Sequence, residues 1–277
     1  MNRRTFSKIA VATALPFMSY RKKLWSVQLL RHATLLIKAN NTTILVDPMF
    51  SPKGGMDPVG NAGNDIRIPI VDLPVTTVEL TKILSSVDAI FVTHTHRDHW
   101  DPEAQTLLNK SIPVFCQPSD VEKIRGQGFN IVQPVNDKLE VTKGLIVHRT
   151  GGQHGTGEIG QKMGAVSGFV FELEDEHLYI AGDTIWCTEV EDALKKFKPQ
   201  TTIVNAGGAQ FLTGGPITMN AEDVKKTTNA VGPGTVIAVH MDTINHCNVT
   251  RPVLKKFIAE NNLTNVQIPD DGASITS

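Results

Sequence analysis

Residues 93–99 read Thr-His-Thr-His-Arg-Asp-His and hold four potential metal ligands within six positions: His94, His96, Asp98 and His99. In an extended segment, side chains two positions apart point the same way, so His94, His96 and Asp98 can converge. Imidazole combined with carboxylate suits zinc, and also manganese or iron. The alternative is a polar loop with unconnected histidines, and four ligands placed directly after an apolar strand argue against it. The spacing therefore predicts a metal site that begins in this segment.

Strands and helices must present these ligands. The apolar run over 89–93 predicts a strand, and Asp101-Pro102 predicts a helix start, because an acidic cap precedes proline at the first helical position. Short apolar runs predict further strands, and the last third of the chain alternates helices with strands. Mixed strands with helices over both outer faces are typical of a layered α/β sandwich. Two Gly-rich stretches, 49–74 and 205–219, are predicted to form the rim of the site and to decide the substrate.

The amino-acid composition limits the classes of partner that this protein can bind. In 277 residues, 27 basic side chains nearly balance 28 acidic ones, so the net charge is -1 and no basic stripe is available to neutralise a phosphate backbone. We therefore expect a small-molecule substrate and no nucleic acid. Cys116, Cys187 and Cys247 are too few for a disulfide framework and are predicted to be small buried side chains. Length and a hydrophobic content of 40% predict one domain over 21–277.

Residues 1–20 are left out of that domain. Residues 2–8 resemble a twin-arginine export signal, and the apolar run over 9–18 is too short to span a bilayer, so we expect no stable membrane anchor. A periplasmic or otherwise exported protein is one interpretation. A cytoplasmic protein with a basic N-terminal tail is the other.

The pattern His-x-His-x-Asp-His resembles the metallo-β-lactamase superfamily, whose fold is a four-layer αβ/βα sandwich with a dinuclear metal site at one edge. Residues 30–37 with 44–48 look like the opening hairpin of its branch that includes ascorbate-phosphate lactonase and N-acyl-phosphatidylethanolamine phospholipase D. The stretches 181–184 (Ala-Gly-Asp-Thr) and 238–240 (Ala-Val-His) are similar too. The resemblance covers residues 25–272 and implies a metal-dependent hydrolase.

The resemblance also implies the ligands of two divalent metal ions, with zinc or manganese expected. They are three histidines for the first ion, one aspartate and two histidines for the second, and one bridging aspartate: His94, His96 and His154; Asp98, His99 and His240; and Asp183. The third histidine of the first set is open between His148 and His154. We favour His154, because it sits in a glycine-rich loop where backbone can approach a metal closely, whereas His148 lies within an alternating strand.

Three side chains are candidates for catalytic roles. A water activated by the two metals would be the nucleophile, and Asp98 would orient it and accept its proton. His32 follows a strand end and lies near the metals in the resembling branch, which leaves open a supporting or substrate-orienting role and simple packing. His246 lies in a loop expected to hang over the site, as a substrate contact, a general acid or a helix cap.

We predict a hydrolase that uses this activated water on a small ester, lactone or phosphoester. The sequence shows no Gly-x-Ser-x-Gly nucleophile elbow and no Walker phosphate loop. The competing class is a non-catalytic exported protein that binds a metal or ligand on the same fold, and the complete ligand set argues against it. Redox chemistry at a di-iron centre would need a flavin domain or another electron-transfer partner, which the sequence does not show. The oligomeric state is left open.

Overall fold

Two seven-stranded sheets lie at the centre of the protein. The computed structural model describes residues 24–275, so the predicted export signal over 1–20 lies outside the described residues. The first sheet contains β1 (Trp25–Arg31), β2 (Thr34–Ala39), β3 (Thr42–Val46), β4 (Ala89–Val92), β5 (Val114–Cys116), β6 (Val132–Pro134) and β14 (Ser274–Ile275). The second contains β7 (Lys138–Thr142), β8 (Leu145–Thr150), β9 (Gly168–Leu173), β10 (Glu176–Ile180), β11 (Thr201–Asn205), β12 (Thr235–Val239) and β13 (Val266–Gln267).

Each sheet is antiparallel in one half and parallel in the other. The strand orders are β14-β1-β2-β3-β4-β5-β6 and β13-β12-β11-β10-β9-β8-β7. Pairing is parallel from β3 to β6 and from β10 to β13, and antiparallel elsewhere. The carboxyl ends of the parallel strands therefore meet at one edge of the sandwich, which is where sites form in sheets of this kind.

Helices cover the outer face of both sheets. The helices are α1 (Thr77–Ser85), α2 (Pro102–Leu107), α3 (Val121–Gly126), α4 (Gly157–Met163), α5 (Thr188–Phe197), α6 (Ala221–Ala230) and α7 (Arg251–Glu260). The first three pack on the first sheet and the last three on the second, each through its own apolar cluster. This arrangement confirms the predicted four-layer αβ/βα sandwich. Within the described residues, no helix is long and apolar enough to cross a lipid bilayer.

Strand β4 shows why the central strands read as unbroken apolar runs. Ala89 and Phe91 face the second sheet, where the Phe91 ring packs edge-on against Phe171 with centroids 4.8 Å apart. Ile90 and Val92 point the other way and pack in the cluster beneath the helices. A strand buried on both faces has no polar face, so its sequence does not alternate. This packing fixes the position of the ligand segment that follows β4.

Asp101 joins that ligand segment to the long loop over 49–74. As predicted, it caps α2, because its carboxylate accepts a hydrogen bond from Ala104 N at 2.6 Å. The same carboxylate also accepts from Phe50 N at 2.9 Å and Ser51 N at 2.6 Å. Burial raises the pKa of this carboxyl, and the three backbone donors partly offset that shift. One fully buried side chain thus satisfies backbone N–H groups from two segments.

We expect Asp101→Ala to lower the free energy of unfolding by about 3 kcal/mol, because a helix cap and two buried backbone donors lose their acceptor together. Asp101→Asn keeps a carbonyl oxygen and is expected to lose less. Urea unfolding followed by circular dichroism measures both variants. A loss below about 1 kcal/mol for the alanine variant would show that the loop holds its place without this side chain.

Candidate metal centre

The predicted ligands come from loops that follow strands at the same edge of the sandwich. The segment 94–99 follows β4, His154 lies in the loop after β8, Asp183 in the loop after β10, and His240 directly after β12. Their ligand atoms form overlapping groups in which all atoms lie within 4.8 Å of one another. The fold thus brings together side chains that are up to 146 positions apart in the printed sequence, His94 and His240 being the extremes.

The first group consists of three imidazoles. His94 Nε2 lies 2.9 Å and His154 Nε2 lies 3.2 Å from His96 Nδ1. Tetrahedral zinc with Zn–N bonds of 2.0–2.1 Å places its ligand atoms about 3.3 Å apart, so these spacings fit one ion. His148 lies elsewhere, in β8, where its Nε2 is 2.6 Å from Glu172 Oε2. The structure therefore places His154, and not His148, beside the other two histidines.

The second group contains His99, His240 and Asp98. The two Nε2 atoms are 3.2 Å apart, and Asp98 Oδ2 lies 3.5 Å from His99 Nε2 and 3.6 Å from His240 Nε2. These separations also suit a single ion with nitrogen and oxygen ligands. Three imidazoles in the first group, and imidazole with carboxylate in the second, are donor sets that fit divalent zinc or manganese.

Asp183 lies between the two groups. Its Oδ2 is 3.2 Å from His99 Nε2, 3.6 Å from His154 Nε2 and 3.9 Å from His94 Nε2. Its Oδ1 is 3.3 Å from His240 Nε2. One carboxylate therefore faces ligands of both groups, which is the position that a bridging ligand must have.

Most of these rings have an outer partner on the nitrogen that points away from the group. His99 Nδ1 donates to Asp47 Oδ2 at 2.9 Å, and His154 Nδ1 donates to the backbone oxygen of Ile217 at 2.8 Å. His94 Nδ1 lies 3.2 Å from Thr93 Oγ1. Such partners fix the ring orientation and the tautomer of a metal-binding histidine. The inner nitrogens are thereby directed into the group, where a metal could bind them.

The sequence did not reveal several of these supporting residues. Asp47 accepts from the backbone N–H of Thr93 at 2.8 Å as well as from His99. Asn205 Nδ2 donates to Asp183 Oδ1 at 2.7 Å. Asp47 follows β3 and Asn205 is the last residue of β11, so both lie at the carboxyl edge, a position that could have marked them as site residues. Cys247, predicted to be simply a buried apolar group, is half-buried, and its Sγ lies 3.7 Å from His240 Nδ1.

The buried charges stabilise one another. Burial alone would raise the pKa of Asp183, but the imidazoles of His240 and His99 outweigh burial and hold that pKa well below its usual value. The pKa of Asp98 is likewise held well below its usual value, with burial again opposed chiefly by His99. Both carboxylates are therefore ionised at neutral pH, and a buried pair of anions among imidazoles favours divalent cations.

The backbone is strained where the ligands leave their strands. His240 has φ 70° and Asp47 has φ 45°, in the left-handed region that residues other than glycine seldom adopt. Backbone hydrogen bonds hold both positions, from His240 N to His32 O at 2.9 Å and from Asp47 N to Phe91 O at 3.0 Å. Strain of this kind persists only where the surrounding structure enforces it, and it concentrates at functional sites.

A cavity of about 220 Å³ opens above the two groups and is lined by Asp98, His96, His154 and Asp183 at its base. The predicted rim segments supply its walls: Val59 and Gly60 from 49–74, Phe211 and Ile217 from 205–219, with Met163, Arg97 and His246 completing them. The volume is below the roughly 300–1,000 Å³ of pockets for drug-sized ligands, so the cavity suits a small molecule.

Hydrogen bonds join the loops around this cavity. Asn245 accepts from Val59 N at 2.9 Å through its side chain, and Leu212 N donates to Asn61 O at 2.9 Å. Gly155 has φ +94°, and a Cβ at this position would lie 2.9 Å from the side chain of Ile217. The wall therefore requires glycine at residue 155.

His32 and His246 both lie close to the two groups. The His32 ring is fully buried, and its Nε2 is 3.2 Å from Asp98 Oδ2. His246 is 6% exposed, lines the cavity and stacks on Phe211 with centroids 5.4 Å apart. Burial lowers the pKa of His246, so this imidazole is neutral at pH 7.

Comparison with known proteins gives consistent matches. The Beta-lactamase superfamily domain matches residues 42–241. UPF0173 protein YddR of Bacillus subtilis is 36% identical over 252 residues, which are 89% of this chain and 98% of that protein. A possible metal-dependent hydrolase from Veillonella parvula has a similar structure, with TM-score 0.86, 37% identity and coverage of 92% of this chain and 100% of that one. An isothiocyanate hydrolase from Delia radicum gut bacteria has TM-score 0.85 and 35% identity, over 91% and 99% of the two chains.

Proposed function

Because the chain belongs to the beta-lactamase superfamily, within it to the UPF0173 proteins, and is a metal-dependent hydrolase, we propose that it binds two divalent metal ions and hydrolyses a small uncharged substrate at an electrophilic carbon. The observation that carries the proposal is the convergence of two ligand groups on Asp183 at the base of a largely apolar cavity. Two such ions, when bound, lower the pKa of a shared water toward neutrality and polarise the substrate.

The chain's own residues divide into two ligand sets with one carboxylate between them. We assign zinc or manganese as the metal, since both accept imidazole and carboxylate ligands. The assigned residues are His94, His96 and His154 for the first ion, Asp98, His99 and His240 for the second, and Asp183 for both.

Asp98 and His246 are the side chains proposed to act on water and substrate. Asp98 lines the cavity and is ionised, so its carboxylate can orient the attacking water and accept its proton. The neutral ring of His246 suits a hydrogen bond to the substrate better than proton donation, which would need an imidazolium. We therefore assign His246 as a substrate contact.

The cavity walls favour an uncharged substrate. Four of the wall residues are apolar: Val59, Met163, Phe211 and Ile217. Among the described residues that line the cavity, only Arg97 carries a permanent positive charge. A phosphodiester would bring an anion that this wall does little to neutralise, so esters and lactones are better supported than the phosphoesters also predicted from the sequence.

An isothiocyanate fits the same description and is the first substrate that we would test. The similar solved structure named isothiocyanate hydrolase supports this choice. In that reaction water adds across the N=C=S group at its central carbon and gives a thiocarbamic acid, which splits into an amine and carbonyl sulfide. The small cumulated group can lie at the base of the cavity while its substituent contacts the apolar wall.

The test measures metal content and turnover on the same preparation. Elemental mass spectrometry counts the ions per chain, and turnover is assayed on isothiocyanates, aryl esters, lactones and a phosphodiester, before and after chelation and again after reloading. We expect about two ions per chain and loss of at least about 100-fold in turnover on chelation, restored by zinc or manganese. We also expect uncharged carbon electrophiles to be cut faster than the phosphodiester.

Each of the remaining outcomes would contradict a different part of the proposal. Two ions without turnover on any substrate would favour a protein that binds metal or ligand without catalysis. A preference for the phosphodiester would contradict the substrate class alone. Failure to bind metal after reloading would disprove the dinuclear centre.

A further inference from the structure

His32 contacts the second ligand group but has no place in the ligand assignment. It lies in the turn between β1 and β2 with φ 61°, and its ring is fully buried. Its backbone oxygen accepts from His240 N at 2.9 Å, and its backbone N–H donates to the carboxylate of Asp271. The structure therefore fixes this residue from both sides in a conformation that few side chains favour, which indicates a specific role for the imidazole.

The imidazole of His32 touches two members of the second group. Its Nε2 is 3.2 Å from Asp98 Oδ2, and its ring packs against the ring of His240 with centroids 3.7 Å apart and planes tilted by 38°. One ring nitrogen of His32 is also within 4.8 Å of the ligand atoms of Asp98, His99 and His240. The ring is thus either a fourth ligand of the second ion or a support for two of its ligands.

The ring separations favour the supporting role. Imidazoles bound to one ion at 2.0–2.1 Å have centroids roughly 3.2 Å from it, and therefore about 4.5 Å apart at right angles and about 5.2 Å apart in a tetrahedron. The rings of His99 and His240 are 5.2 Å apart, as one ion requires. The ring centroids of His32 and His240 are only 3.7 Å apart. Two imidazoles bound to one ion at that separation would subtend an angle of about 70° at the ion, which is narrower than the right angle or the tetrahedral angle.

The position of the ring proton gives an independent argument. His99 and His154 direct Nε2 inward and donate from Nδ1 to an outer acceptor, as metal-binding histidines do. His32 Nδ1 is buried and has no hydrogen-bond partner among the described residues. A proton on that atom would be unsatisfied, so the proton belongs on Nε2. A carboxylate only accepts hydrogen bonds, so Nε2–H donates to Asp98 Oδ2.

We propose that His32 is a positioning residue of the second metal site, which holds Asp98 by a hydrogen bond from Nε2 and holds His240 by close contact between the two rings. The proposal rests on the dinuclear function proposed above. His32 does not bind the ion itself. Loss of the His32 side chain lowers the affinity for the second ion selectively. Both contacts are made to ligands of that ion, and neither is made to a histidine of the first group.

The test compares His32→Phe, which keeps a flat ring and removes the donor, with His32→Gln, whose amide N–H reaches about as far as Nε2. Both variants carry the same unfavourable φ; His32→Phe keeps a ring against His240 without the donor to Asp98, and His32→Gln keeps a donor without the ring. His177→Gln, a half-buried histidine on β10, is the control. Competition with a chromophoric chelator gives the affinity of each ion, the visible spectrum of the cobalt-loaded protein reports its ligands, and kinetics give kcat and KM.

We expect His32→Phe to keep the first ion and to bind the second about 10–100-fold more weakly, the usual loss when a supporting contact of a metal ligand is removed. His32→Gln should recover part of that affinity. At saturating cobalt, the spectra of both variants should match the wild type, because no ligand is lost. At limiting metal, kcat should fall with little change in KM.

Three results would overturn parts of this inference. A changed cobalt spectrum at full loading would make His32 a ligand. An unchanged affinity for the second ion in His32→Phe, with two ions in the wild type, would leave His32 as packing only. A wild-type protein with one ion would instead disprove the dinuclear function itself. If circular dichroism shows that His32→Phe does not fold, the comparison of His32→Asn with wild type decides, because asparagine accepts the left-handed φ, lacks the ring and has a shorter amide that corresponds to Nδ1 and not to Nε2. Equal affinity for the second ion in that variant then overturns the proposal.

Discussion

Replacement of Asp183 by asparagine is expected to remove at least one of the two metal ions and to lower kcat/KM by about 1,000-fold. A bound metal ion stabilises the transition state by several kcal/mol, and about 4 kcal/mol corresponds to that factor. Asp183 faces His99 and His154 through Oδ2 and His240 through Oδ1, so we expect both of the proposed ions to depend on its charge. The amide keeps an acceptor for Asn205 Nδ2, which limits structural damage.

Elemental mass spectrometry and steady-state kinetics measure this effect, with Asp192→Asn as the control, since Asp192 is exposed on α5. The control should keep the metal content and the turnover of the wild type. Two firmly bound ions together with wild-type turnover in Asp183→Asn would show that the carboxylate does not bridge.

Asp98→Ala is expected to lower kcat by about 100- to 1,000-fold, since the variant loses the proposed proton acceptor and one ligand of the second ion. His246→Ala should cost only about tenfold, because it removes a substrate contact and leaves the metal ligands in place. The loss in His246→Ala should appear chiefly in KM. Steady-state kinetics at saturating metal separates the two variants.

Asp98→Asn distinguishes the two tasks assigned to Asp98. The amide oxygen can still bind a metal ion, but the group is a far weaker base, so the second ion should remain while kcat stays low. If Asp98→Ala left turnover intact, the assignment of Asp98 as the base would be wrong. If His246→Ala lost as much kcat as Asp98→Ala, His246 would act in the chemistry and not only in binding.

Much of the fold was predictable because its signals are local. The α/β sandwich was predicted from the apolar runs and is confirmed, and the last third of the chain alternates helices with strands as predicted, for example in α6 followed by β12. The short helix α3 was missed, since six residues are too few to show a helical period. Helix α4 was missed too, because it contains Gly157 and Gly160, and glycine disfavours helices. The narrower branch named from the sequence stays a prediction.

The ligand segment was the most readable part of the site. Spacing along one extended segment decides which side chains point the same way, so the convergence of ligands could be predicted from the sequence for His94, His96, Asp98 and His99. The distant partners could be named only through resemblance to a family. Nothing in the spacing of His148 and His154 shows which of them meets His96, and the structure places His154 there.

The sequence by itself determined the ligand chemistry, the strands that carry it and the capped start of α2, because each depends on residues a few positions apart whose directions the backbone period sets. Only the tertiary structure decided how the carboxylate of Asp183 faces both groups, how His32 contacts Asp98 and His240, and which residues of the rim loops line the cavity. Those contacts join segments tens to hundreds of residues apart. The geometry of these contacts depends on how the two sheets pack face to face and on where the loops of the two sheets come together. A local sequence pattern does not determine either.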